Sequence, residues 1–139
     1  MFLPDTNILI YAVAGREPFA TLLTRWVSKN QLVFSVISIS EFMVGADLEE
    51  KEKLINLVES SNIYDIDYQT AVIAANCRQE FMKKKKKVYL LDCMLAATAK
   101  TKNCTLVTVN TDDFPMKDIK LLNPLLPIKT TKVPTASNS

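Results

Sequence analysis

Histidine is missing altogether from this 139-residue chain. Its absence excludes nucleases that use imidazoles as general acid and base, Ser-His-Asp and Cys-His hydrolases, and His-ligated zinc enzymes. The cysteines, Cys77, Cys93 and Cys104, are odd in number and form no CxxC pair, so neither a disulfide framework nor a zinc knuckle is indicated and reduced thiols are expected. No apolar run approaches the roughly 20 residues of a membrane span, and no basic n-region of a signal peptide opens the chain. A cytoplasmic location is the expectation. There is no excess of either charge: the net value is +2, which neither demands nor forbids a nucleic-acid partner. No internal repeat or domain boundary is visible. Phosphodiester or acyl chemistry on this chain therefore falls to carboxylates, lysines, hydroxyls or a hard metal ion.

The remainder is ordinary globular material, 48% hydrophobic and 23% charged, and of a length suited to one domain. Strand-like and helix-like stretches alternate. Phe2 to Pro4 runs into Asp5, and a helical pattern begins directly after it. Phe19, Leu22, Leu23, Trp26 and Val27 carry the spacing of a half-buried helix that starts at Pro18. Leu32 to Ile37 reads as a buried strand, and Ser38-Ile39-Ser40-Glu41 opens a helix. Leu48 to Val58 reads as a helix with Leu54, Ile55 and Val58 on one face. Asn62 to Ile66 reads as a short strand, and Asp67 caps a long helix whose face is expected to hold Tyr68, Ala71, Val72, Ala75 and Met82. Val88 to Leu91 leads to Asp92 and a helix rich in small residues. Thr105 to Val109 is the clearest strand, and Ile119 to Leu122 another. This alternation predicts an α/β fold with a single, largely parallel sheet. Residues 1–124 form the domain and 125–139 a flexible tail.

Asp5, Glu41, Asp92 and the Asp112/Asp113 pair all fall at strand-to-helix boundaries, where open α/β sheets bind ligands. Each has a plainer explanation. Ser38-x-x-Glu41 has the form of a capping box, Asp5 and Asp92 suit helix N-caps, and Asp112 or Asp113 suits the turn after Asn110. Taken together, converging carboxylates repel one another, and a divalent cation removes the conflict. All-oxygen ligation without histidine points to Mg2+ or Mn2+. The run Lys83, Lys84, Lys85, Lys86 and Lys87 admits two readings, a solvated helix C-terminus or an RNA-backbone contact. Trp26, Phe34, Phe42 and Phe81 read as core or dimer contacts.

Asp5-Thr6-Asn7, Ser38-Ile39-Ser40-Glu41, Asp92 with Met94 to Ala99, and Leu106 to Phe114 resemble, in order and spacing, the PIN domain, and most closely the VapC-type toxin ribonucleases of toxin–antitoxin pairs. The resemblance covers residues 1 to about 124. It implies a Rossmann-like sheet, a Mg2+-dependent endoribonuclease, a homodimer, an RNA substrate and a cognate antitoxin. It implies Asp5 and Asp92 as principal ligands, with Glu41 as ligand or water-orienting base. Asp113 or Asp112 is the fourth acid, Asp113 being preferred because it precedes Phe114, and Asn110 offers a neutral oxygen. Thr6 and Asn7 fix the Asp5 loop, and Ser38 is a further supporting residue. Pro4 departs from the family pattern and is expected to shorten the first strand. An RNA-processing PIN nuclease without antitoxin, or a silent RNA- or protein-binding module, is the alternative.

Overall fold

The computed structural model describes residues 1–126. The expected tail, beyond residue 126, lies outside the described residues. The chain runs β1 (Phe2–Pro4), α1 (Thr6–Val13), α2 (Phe19–Ser28), β2 (Val33–Ser35), α3 (Val36–Gly45), α4 (Leu48–Glu59), β3 (Asn62–Tyr64), α5 (Tyr68–Lys83), α6 (Leu90–Thr101), β4 (Thr105–Val107), a 3-10 turn (Thr111–Asp113) and β5 (Lys120–Leu122). All pairings are parallel: β1 with β4, β4 with β5, and β2 with β3. A single Phe2–Leu32 bridge joins the two sets, giving the spatial order β3-β2-β1-β4-β5.

Pro4 explains why that junction is so thin. Residues facing one neighbour alternate along a strand, and Phe2 donates its N–H to the Gln31 carbonyl at 2.7 Å. The next position on the β2 side is Pro4, which has no N–H to give. Pairing towards β4 is untouched, because Asp5 donates to the Val107 carbonyl at 3.0 Å. Proline thus ends one ladder and leaves the other whole. The Pro4 carbonyl accepts instead from the buried Ser38 hydroxyl of α3, at 3.3 Å.

Side chains alternate across the sheet. Leu3, Val33 and Leu106 enter one core with Ala74, Phe81, Cys93, Ala96 and Ala97 of α5 and α6. Leu32, Phe34 and Val107 enter the other with Ile8, Leu9, Leu23, Trp26, Phe42 and Leu54 of α1–α4. Burial on both faces is why the strands read as unbroken apolar runs. Trp26, Phe34, Phe42 and Phe81 are core residues, and Trp26 stacks on Phe2 with centroids 4.2 Å apart.

Four expectations need correction. The strand read over Leu32 to Ile37 stops at Ser35, whose side chain accepts from the Ile37 N–H and starts α3 at Val36. Val88 to Leu91 is not a strand; α6 begins at Leu90 after Tyr89, and Val88 is buried below it. The face expected for α5 is rotated: Thr70, Ala74 and Phe81 are buried, whereas Tyr68, Val72 and Met82 are exposed. The small residues of α6 let α5 approach through Ala74, so close packing outweighs the larger side chains. On α4, Ile55 is likewise exposed and only Leu54 fully buried. Asp67 does cap α5, accepting from the Thr70 N–H at 2.8 Å.

Candidate active site at the ends of β1 and β4

Asp5 follows the last residue of β1, and its side chain accepts from the Ile8 N–H at 3.1 Å, so it is the N-cap of α1. Capping and site chemistry coexist, because a carboxylate has a second oxygen to offer. Asp5 is 8% exposed, and burial raises its pKa above the ordinary carboxylate value. The Thr108 hydroxyl and the Ile8 and Asn7 N–H groups pull it back down, and the charge of Asp113 pushes it up again.

Glu41 is not part of a capping box. Helix α3 is capped by Ser35, so Ser38 lies inside it, and Glu41 stands more than a turn from its start. Glu41 accepts a 2.6 Å hydrogen bond from the Thr6 hydroxyl, linking α3 to the start of α1. Ser38, one turn earlier, anchors α3 to β1 through the Pro4 carbonyl. Asp92 is not an N-cap either. Tyr89 holds that position without a side-chain bond, and Asp92 lies in the first turn of α6. The helix dipole there favours a charged carboxylate. Desolvation and the charges of Asp113, Glu41 and Asp5 outweigh it, and the Asp92 pKa rises to about 6.

Asp92 thus feels the charge of three acids from separate parts of the chain. Asp113 acts on both Asp5 and Asp92, whereas Asp112, exposed on the same 3-10 turn, does not figure for either. Asn110 precedes that turn; its N–H donates to the Thr108 hydroxyl at 3.0 Å, and its carbonyl accepts from the Asp113 N–H at 3.0 Å. Thr108 escaped the sequence reading. It is fully buried, touches Asp5 on one side and Asn110 on the other, and so ties β1 to the turn bearing Asp113. Its only sequence signal was a threonine at the end of an otherwise apolar strand.

Among the described residues, none of these four acids has a lysine or arginine ion-pair partner; the ion pairs are Lys53–Glu49 and Lys100–Asp118. Uncompensated negative charge, all-oxygen donors and the raised Asp92 and Asp5 pKa values fit a hard divalent cation. In the described side-chain arrangement no three Asp, Glu or Cys groups are yet drawn close enough to enclose one. Glu41 is held on Thr6, and one Asp5 oxygen on the Ile8 N–H.

The lysine run spans a helix end and the link that follows it. Lys83 ends α5, and Lys84, Lys85, Lys86 and Lys87 form the exposed link to α6. Lys85 turns the chain there: its φ of 57° is left-handed, its N–H donates to the Met82 carbonyl at 3.0 Å, and the Lys86 N–H donates to the Phe81 carbonyl at 2.9 Å. That pair of bonds is the Schellman closure of a helix, made here without glycine. Lys85 thus has a structural role in the turn through its backbone, while its side chain, like those of Lys83, Lys84, Lys86 and Lys87, is exposed. Beyond it, Lys87 lies 5.2 Å from the centre of the Tyr89 ring. The cysteines are free, and burial pushes the Cys93 thiol up to about 12, which argues against a thiolate nucleophile. No described helix is long and apolar enough to cross a membrane.

The PIN domain pattern matches residues 2–120. The chain is 30% identical over 118 residues to ribonuclease VapC2 of Haemophilus influenzae, covering 81% of this chain and 89% of that protein. It is 26% identical over 116 residues to ribonuclease VapC10 of Mycobacterium tuberculosis, covering 84% and 87%. A solved toxin–antitoxin complex from Klebsiella pneumoniae superimposes with a TM-score of 0.74 at 30% identity, covering 89% of this chain and 98% of that one. The parallel sheet, the acidic ends of β1 and β4 and the match along nearly the whole described chain make this protein a member of the PIN domain family.

Proposed function

We propose that this PIN domain is a metal-dependent endoribonuclease and the toxin of a VapC-type toxin–antitoxin pair. The observation that carries the reading is the Asp92 carboxyl, raised to about 6 by burial and by three other acids from separate parts of the chain. The relatives of similar length are ribonucleases by name, and the toxin–antitoxin complex shares the fold at 30% identity. Together these favour an RNA substrate and an antitoxin partner over an antitoxin-free processing nuclease or a silent binding module. A homodimer and a cytoplasmic site of action belong to the same proposal.

Asp5, Asp92 and Asp113 would hold the ion, with Glu41 as a further ligand or as the base. Mg2+, with Mn2+ as substitute, supplies charge neutralisation and polarises the phosphate when bound. Thr108 and the Ile8 N–H orient Asp5, and Thr6 orients Glu41. Glu41, exposed on α3, aligns a water with phosphorus and takes its proton. The new bond joins water oxygen to phosphorus, the bond to the 3′ oxygen breaks, and the products are a 5′-phosphate and a 3′-hydroxyl.

The experiment is cleavage of total RNA by purified protein with Mg2+, followed by sequencing of the new ends. Wild type should cut, with 5′-phosphate ends, while Asp5→Asn and Asp92→Asn, near-isosteric changes that remove charge, should not. Undiminished cleavage by both variants would refute the assignment. Growth arrest on expression, relieved by Asp5→Asn, separates a toxin from a housekeeping nuclease.

A further inference from the structure

A cleft of about 720 Å3 lies between α5, α6 and residues 115–119. That volume falls within the roughly 300–1,000 Å3 of small-ligand sites. Two of its wall residues are near the acids in sequence: Cys93 directly follows Asp92, and Pro115 lies two positions beyond Asp113. Its floor is apolar, built from Ile73, Phe81, Ala96 and Met116. Its rim carries the exposed Lys84, Lys86 and Lys117 together with the acidic Glu80, and the Lys84 ammonium lies 5.5 Å from the centre of the Phe81 ring. Lys100 also lines the cleft, but is neutralised by Asp118 at 2.6 Å. The other three have no carboxylate within ion-pair distance among the described residues. An apolar floor under unpaired ammonium groups suits a base below and a phosphate above.

We infer that this cleft is a nucleotide subsite of the nuclease: it seats the base of a residue flanking the scissile bond, and Lys84, Lys86 and Lys117 hold the adjoining backbone phosphates. The inference rests on the ribonuclease reading. Charge complementarity names the occupant. An RNA strand approaching four carboxylates is repelled, and the cations lining this cleft would offset that repulsion along the strand. The lysine run is therefore divided by function, with Lys84 and Lys86 lining the cleft, Lys85 making the turn between them and Lys87 set against Tyr89. The base pocket selects which nucleotide flanks the cut.

The test compares wild type with the triple variant Lys84→Ala/Lys86→Ala/Lys117→Ala, all exposed positions, and with Asn76→Trp, which narrows the cleft from the exposed surface of α5. Steady-state cleavage of a labelled oligoribonucleotide is measured from low to high salt. The triple variant should raise KM about tenfold or more with kcat within about twofold. Its plot of log KM against log salt should flatten by roughly 2, at about 0.7 per phosphate contact on a single strand. Asn76→Trp should change the preferred nucleotide beside the cut. Unchanged KM, salt slope and cleavage preference would overturn the subsite. So would loss of antitoxin binding with RNA kinetics intact, which would make the cleft a protein dock. Fluorescence anisotropy with the same oligonucleotide separates the two failures: wild type that cuts no RNA but binds it through these lysines would sink the nuclease reading and leave the cleft standing.

Discussion

Neutralising Asp92 should make the protein more stable while destroying its activity. The raised pKa means that a charged carboxylate at this position costs the folded state free energy. The shift from 3.8 to about 6 would amount to roughly 3 kcal/mol at 1.36 per unit for a fully shielded group. Asp92 is only half-buried, and solvent screening together with the lost helix-dipole contribution of a first-turn carboxylate reduces the expected gain in Asp92→Asn to about 1 kcal/mol. That is a rise in Tm of roughly 3–5 °C for a domain of this size. The folded-state pKa lies above the unfolded one, so the wild-type penalty is fully present above about 6 and fades as pH falls from there towards 3.8. The gap between variant and wild type should be largest near pH 8 and nearly closed near pH 4. Differential scanning calorimetry in chelator at pH 8, 6 and 4.5 makes the measurement. A variant no more stable than wild type at pH 8, or a gap that does not change with pH, would refute the electrostatic argument.

Other substitutions probe the supports of the site. Thr108→Val removes the hydroxyl between Asp5 and the Asn110 N–H; it should cost about 1–3 kcal/mol in urea unfolding and, by removing an influence that lowers the Asp5 pKa, move the acid limb of the cleavage profile to higher pH. Thr6→Val frees Glu41 and should lower kcat roughly tenfold with little change in Tm, since the bond is exposed; unchanged kcat would remove Thr6 from the site. Phe34→Ala, at 0% exposure between β2 and the α1–α4 core, should cost about 3–5 kcal/mol by chemical denaturation.

The α/β alternation and the strand ends could be read from the sequence because strands buried on both faces are nearly continuous apolar runs, and Phe34 and Val107 could not be placed otherwise. Acids were legible as a set, but not their local settings. Glu41 and Asp92 sit inside helices rather than at strand ends, because Ser35 and Tyr89 turn the chain earlier than hydropathy alone indicates. The rotation of α5 was illegible for a different reason. Its apolar residues circle much of the helix, and only the close approach of the alanines of α6 selects Thr70, Ala74 and Phe81 as the inner face. In the lysine run, five identical residues give no sign of which one will take the left-handed position, so the turn at Lys85 was invisible. Thr108 was hidden because a hydroxyl at a strand end is common, and its value appears only once Asp5 and Asn110 are beside it. The effect of Pro4 was half visible: loss of an N–H was plain, but which ladder it would break depended on the register.

Calorimetric titration of Mn2+ into wild type and into Asp5→Asn at neutral pH tests most directly whether these carboxylates form one cation site. Saturable binding by wild type that is lost or greatly weakened in the variant is the expected result. Wild type that takes up no ion, or a variant that binds as wild type does, would contradict the account.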